Sequence, residues 1–529
     1  MTGKSSSPIW DSISLVSSTR ARRLRERRPH HSSAEKEACL RRYHPDYVEE
    51  NFTYLQNGPN AGARVAREIA AVLEAPTILP EEERTFVPHH QADVLVIGGG
   101  GAGITAAIFA HDAGAKVLLA TKLRLGDSNT IMAQGGIQVA LGEEDSPVNH
   151  FLDAYRGGGS VNDRTLLRFL VEKGPEAVAW LEDIGVLFSK DEAGEFLLRK
   201  AGGTSHPRVV FAKDYTGLEI TRNLIDELRQ RRVQVVELAP AVELLTDTNG
   251  HCTGAVLMDY DNGRFFAVGA KVTVLATGGS GRLHIGGFPT SNHYGATGDG
   301  LVMAYRAGAH IRDLDSFQYH PTGAIYPRQM YGLLVTEAIR SEGGHLVNAQ
   351  GDRFVDETET RDFVAAAIIR ECRQGRGLVL ENGDCGVWLD IPVLEELRGS
   401  NYLKRRFPAM FRQFQRFRWD IRKHPVLVYP TLHYQNGGLI IDRQGETSVR
   451  NLFAVGEVVG GVHGRNRLMG NALLEIFTFG RHVGKMAAQR ARETTFGALT
   501  TRHLDAFSAR SQKAQLRSPL LLPDYVRKS

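Results

Sequence analysis

The 529-residue chain is poor in cysteine and has no long apolar run. Its four cysteines, Cys39, Cys252, Cys372 and Cys385, form no C-x-x-C pair and no C-x-x-C-H. That spacing argues against an iron–sulfur cluster, a covalent haem or a zinc ribbon on this chain, and no metal is expected. Scattered single cysteines suit a reducing compartment, so a cytoplasmic location is expected. No apolar stretch approaches the ~20 residues a membrane helix needs, so no direct span is expected. Any membrane association would run through a partner. An excess of one charge is also lacking: 64 Lys+Arg stand against 60 Asp+Glu, a net charge of +4. Such a balance carries no nucleic-acid footprint.

What is present is ordinary globular material, with 42% hydrophobic and 23% charged residues. The length suggests two or three domains. Residues 1–90 are polar and charged. They hold "TRARRLRERR" (19–28), with six arginines and no apolar stretch after it, so it reads as a solvated, disordered tail rather than a signal. One amphipathic helix is expected at 61–75, followed by a proline-rich linker. Residues 91–304 alternate short strand-like runs with helical stretches, and the same character returns at 425–490. Between them, 305–424 is charged and helix-rich, and 491–529 is a short polar tail. The simplest account is an α/β domain interrupted by an inserted domain.

"ADVLVIGGGGAGITAAIFAHDAGAKVLLATK" (92–122) reads strand, glycine turn, helix, strand. Gly98, Gly100 and Gly103 occupy the G-x-G-x-x-G positions. The first makes the tight turn, the second admits a pyrophosphate, and the third lets the helix pack close. The acidic residue that normally ends the second strand is missing; Thr121 and Lys122 stand there. Two further glycine-rich passages, "VTVLATGG" (272–279) and "LFAVGEVVGGVHGRNRLMGNALLE" (452–475), spread the signal along the chain. A long, extended cofactor fits that spread, which points to FAD.

The ordered series "GGGGAG", "SNTIMAQGGI", "TGDG", "QYHPTG", "TEAIRSEGG", "TRDFVAAAI", "LHYQNGG", "AVGE" and "HGRNRLMGNALLE" resembles the flavoprotein subunits of succinate dehydrogenase and fumarate reductase, with L-aspartate oxidase as a related branch. The resemblance covers about residues 92–490. It implies a Rossmann-like FAD-binding domain interrupted by an inserted α+β capping domain, here with an extra N-terminal segment. By position it implies FAD contacts from Gly98, Gly100, Gly101, Ala102, Gly103, Thr121, Lys122, Ser128, Asn129, Thr130, Ala133, Gln134, Gly135, Gly136, Asp299, Glu457, Ala472 and Leu473. Many members carry a histidine joined covalently to the flavin where this chain has Asn129. An asparagine has no nucleophilic ring nitrogen, so non-covalent FAD is expected. A histidyl bond generally raises flavin potential, so its absence tilts the expectation toward fumarate reduction.

The implied reaction moves a hydride between flavin N5 and a C4 dicarboxylate such as fumarate or succinate, with an arginine as proton donor. Two carboxylates must be clamped and one polarised. The resemblance assigns Phe151, His320, Thr336, His433 and Arg467 to the substrate. It assigns proton delivery to Arg361, reloaded through Glu337 and Arg340, whose spacing puts them on one helical face. An arginine in isolation is a poor acid, with pKa above ~12, so a relay is required.

The branches differ at a few places. L-aspartate oxidases carry a glutamate that meets the substrate ammonium; the corresponding residue here is Leu152, which cannot. "HPTG" and "EGG" also resemble the dicarboxylate enzymes, whereas "AGGTSHPRVVFAKDYTG" (201–217) leans toward the aspartate oxidases. The expected activity is of fumarate reductase or succinate dehydrogenase type. The alternatives are an L-aspartate oxidase-like enzyme and a non-catalytic flavin-binding subunit. The chain offers no redox centre beyond flavin, so an iron–sulfur protein, another flavoprotein or oxygen must exchange electrons with it.

Overall fold

In a computed structural model of the protein, the structure describes residues 12, 13, 16, 28–80 and 85–513. The arginine-rich stretch 19–28 lies outside the described residues apart from Arg28, as do residues 81–84 of the linker and 514–529 of the tail.

A seven-stranded sheet carries the first core. Pro88–Ile97 runs parallel to Val117–Ala120 on one side and to Phe265–Leu275 on the other. Gln234–Val236 extends the parallel set. Phe265–Leu275 changes partner along its length: its first half pairs antiparallel with Cys252–Met258, and its last residues pair parallel with Leu452–Ala454. Val94, Leu95 and Val96 are fully buried and Ile97 is 4% exposed, so both faces of this strand are covered. A continuous apolar run is what a two-sided parallel strand requires. The helix Gly101–Asp112 follows the glycine turn and is itself buried on nearly every side. It packs against the long closing helix Asn471–Arg492.

The second core surrounds an antiparallel sheet in the order Phe317–Ala324, Val426–Gln435, Cys385–Asp390, His345–Val347. Leu378–Val379 pairs with the edge of Cys385–Asp390. The helix Arg361–Arg373 lies against this sheet. Trp388, Phe363, Phe407 and Phe414 fill the space between, each no more than 1% exposed.

The N-terminal segment joins both cores. Helix Ser33–Tyr43 starts at a capping box made by Ser32 and Glu35 and packs on Arg361–Arg373. Ile13, Val16, Cys39 and Tyr43 are buried in the second core, whereas Phe52, Leu55, Val65, Ile69 and Leu73 are buried in the first. Only part of the helix expected at 61–75 forms. Arg64–Ala66 is a strand paired with Phe52–Tyr54, and the helix covers Arg67–Leu73. Ala66 also donates its N–H to the Leu314 carbonyl, so strand partners across space override a helical pattern. Among the described residues no helix is long and apolar enough to cross a membrane.

Candidate active site

The parallel strands end together. Ile97, Thr121, Ala276 and Val455 sit at or just past their carboxyl ends and border one cavity of about 500 Å³. Ligands of open α/β sheets bind at this edge. The glycine turn forms the cavity floor. Gly98 has φ +122°, and a Cβ there would strike the Ala276 carbonyl. A Cβ on Gly103 would strike the Gly98 carbonyl, which is the close helix–strand approach the spacing implies.

The glycine loop, the 121–136 loop and Asp299, Glu457, Ala472 and Leu473 share this cavity. Of the expected cofactor residues, only Gly103 is absent from the lining, packed beneath the turn. Lys122 replaces the missing acid in a different way. Its Nζ lies 2.5 Å from the Asp299 carboxylate and 2.7 Å from Thr297 Oγ1. Thr130 Oγ1 accepts from the Gly101 N–H at 3.2 Å, tying the polar loop to the helix start. Asn129 is held on both ends: Nδ2 donates to Asn292 Oδ1 at 2.7 Å, and Oδ1 accepts from the His293 N–H at 2.7 Å. Burial pushes the Glu457 carboxyl up to about 7, although it accepts the Gln435 N–H. Gln134 Oε1 and Thr277 Oγ1 are buried without hydrogen-bond partners among the described residues. A Cβ-free turn, a helix N-terminus and unpartnered polar atoms along an extended cleft fit a dinucleotide cofactor.

The other end of the cavity is strongly cationic. His320, Thr336, Glu337, Arg361, His433 and Arg467 all line it. Arg361 opens its helix, and Glu337 opens the short helix Glu337–Ser341. Arg361 Nε donates to Glu337 Oε2 at 2.6 Å, and Arg340 Nη2 lies 3.3 Å from the same oxygen. Burial alone would raise the Glu337 carboxyl, but Arg361 and Arg340 hold it at about 2. Burial, reinforced by Arg361, lowers Arg467 to about 10. Burial followed by the Arg361 charge also drives His320 and His433 well below the ordinary imidazole range, so both are neutral. His320 Nδ1 accepts from the Thr322 N–H at 3.3 Å, which leaves the proton on Nε2. That Nε2 and Arg467 Nε have no hydrogen-bond partner among the described residues. Both belong to residues that line the cavity.

Two residues expected at the substrate end are not at the cavity either. Phe151 is stacked on Tyr155 with ring centroids 5.8 Å apart. Arg340 lies behind Glu337, where its Nη1 donates to the Glu357 carbonyl at 2.6 Å. It also borders a second cavity, of about 280 Å³, lined by Arg28, His345, Arg353, Glu357 and Arg398. The sequence reading missed Gln318. Its Oε1 accepts from Arg361 Nη1 at 2.7 Å and from Arg467 Nη2 at 2.9 Å, and its Nε2 donates to the Arg467 carbonyl. It stands two residues before His320 in a motif already singled out. Asn292, which holds Asn129, was missed as well.

Fold and cavity together define a flavin-dependent oxidoreductase, and comparison with known proteins agrees. The FAD binding domain family matches residues 93–473. A fumarate reductase (CoM/CoB) subunit of Methanothermobacter marburgensis is 40% identical, over 77% of this chain and 74% of its own. L-aspartate oxidase of Streptomyces coelicolor is 38% identical, over 82% and 74%. A solved structure of E. coli quinol fumarate reductase FrdA superimposes with a TM-score of 0.72 at 32% identity, covering 81% of this chain and 74% of that one. The chain belongs to the succinate dehydrogenase/fumarate reductase flavoprotein family, of which L-aspartate oxidase is a branch. Its cofactor is FAD.

Proposed function

We propose that the protein is a fumarate reductase or succinate dehydrogenase-type flavoprotein acting on a four-carbon dicarboxylate. The observation that carries this reading is the buried line Arg361–Glu337–Arg340, which connects the cationic end of the main cavity to a second cavity.

The glycine turn, Lys122, the 128–136 loop, Asp299, Glu457, Ala472 and Leu473 would hold FAD non-covalently. Bound FAD supplies or accepts the hydride. Everything else falls to the side chains. Arg467 and His320 take one carboxylate with donors that lack protein partners, and His433 and Thr336 flank it. Neutral histidines donate hydrogen bonds without adding charge, so the two arginines dominate the field around the substrate. Arg361 delivers the proton to the alkene carbon opposite the hydride. Arg361 is then reloaded by a proton passed from Arg340 through the Glu337 carboxylate, and Arg340 in turn borders the second cavity. Phe151 reaches the substrate only after a change of side-chain position.

A second reading, L-aspartate oxidase, is favoured by relatives of that name matching 74–82% of the chain. Against it, Leu152 is 40% exposed and has no charge to pair with an ammonium group. Purified protein assayed with fumarate and reduced viologen, and separately with aspartate and oxygen, decides between them. Turnover on fumarate is expected. Turnover on aspartate alone would overturn the proposal, and FAD-replete protein inert on both would favour a non-catalytic role. The electron partner is an iron–sulfur protein or a second flavoprotein, and co-purification identifies it.

A further inference from the structure

Cys372 and Cys385 are thirteen positions apart and belong to different elements, yet the fold brings their sulfurs together. Cys372 lies in the last turn of Arg361–Arg373, and Cys385 begins the strand Cys385–Asp390. Gly377 sits between them. A Cβ on Gly377 would lie 2.9 Å from the Cys372 sulfur and closer still to that of Cys385, so both sulfurs border one spot that only a glycine leaves free. Both residues are partly exposed, whereas Cys39 and Cys252 are buried. No residue assigned to flavin or substrate contacts is involved.

We propose that Cys372 and Cys385 form a dithiol modification site that closes to an intrachain disulfide by exchange with a low-molecular-weight disulfide. The thiolate of one cysteine attacks the small disulfide, forming a mixed disulfide and releasing one small thiol. The second cysteine then attacks the protein sulfur and releases the second small thiol. The protein loses two electrons and two protons, and the small disulfide gains both. Either sulfur can attack first, because both border the same spot beside Gly377 and both residues are partly exposed.

The test uses the full-length, FAD-loaded protein incubated with oxidised glutathione. Thiols are then counted under denaturing conditions, and the non-reduced digest is mapped by mass. The count is expected to fall from four to two, with the peptides of Cys372 and Cys385 joined and Cys39 and Cys252 still free. In Cys372→Ser or Cys385→Ser the second step is lost, so a stable glutathione adduct on the remaining cysteine of the pair is expected. Four thiols remaining in the wild-type protein, or a link through Cys39 or Cys252, would overturn the proposal.

Discussion

Replacing Gln318 by leucine tests whether the two active-site arginines are positioned by a neutral amide. Gln318 is 2% exposed, and its Oε1 is shared by Arg361 at 2.7 Å and Arg467 at 2.9 Å. Leucine has similar volume and no acceptor. A hydrogen bond to a charged group is worth about 1.5–3 kcal/mol, so losing two costs roughly 3 kcal/mol at the lower limit. Arg361 keeps Glu337, and Arg467 keeps the Leu468 carbonyl and the face of Tyr434, so neither arginine is stripped completely. If the loss falls on the transition state, kcat/KM drops about 10²-fold, at roughly 1.4 kcal/mol per decade. Gln318→Glu keeps the acceptor but places a carboxylate between the two guanidiniums. It competes with the substrate carboxylate, so KM should rise more than kcat falls. The assay is fumarate-dependent oxidation of reduced viologen, with flavin content measured on each preparation. A leucine variant with full flavin and kcat/KM within about threefold of wild type would refute the positioning role.

Arg361→Ala should abolish turnover while FAD stays bound, and near-normal activity would remove Arg361 from proton delivery. Treatment with acid or denaturant should release all the flavin, because Asn129 cannot form a ring-nitrogen bond; flavin fluorescence on the polypeptide in a denaturing gel would contradict this. His320 and His433 are held below their ordinary value of 6.5 by burial and by Arg361. The unfolded chain binds their protons first as pH falls, so the stability they contribute is complete above about 6.5 and declines below it, by up to roughly 1.4 kcal/mol per pH unit for each. His44 and His150, lowered by burial to about 3 and about 4, add to the same slope. Urea midpoints compared between pH 7 and 5.5 should therefore fall less in a His320→Gln, His433→Gln double variant; an equal fall would show that the pair does not titrate as assigned.

The local parts of this protein were legible because their physics is local. The strand–turn–helix–strand over 92–122 announces itself through a buried apolar run and three glycines, two of which admit no Cβ. The order of the motifs led to the residues around the main cavity. What was not legible depends on contacts between distant segments. The half-helix at 61–75 follows from pairing with Phe52–Tyr54, which no helical period reveals. Gln318 matters because Arg361 and Arg467, from two other segments, meet at its amide. Phe151 was placed by motif, but its ring direction is set by stacking on Tyr155. The juxtaposed thiols of Cys372 and Cys385 carry no spacing signature at all.

The N-terminal segment has a mechanical consequence. It enters the second core through Tyr43 and the first core through Phe52. Arg64 then clasps Asp315 at 2.8 Å while lying 3.8 Å from the centre of the Phe52 ring. The stretch from Tyr43 to Phe52 can extend to about 30 Å at most, and much of that length is taken up by its own turns. Any separation of the two cores is therefore bounded by this covalent link as well as by packing. Cutting the chain between Tyr43 and Phe52 would remove that bound without touching a residue of the cavity.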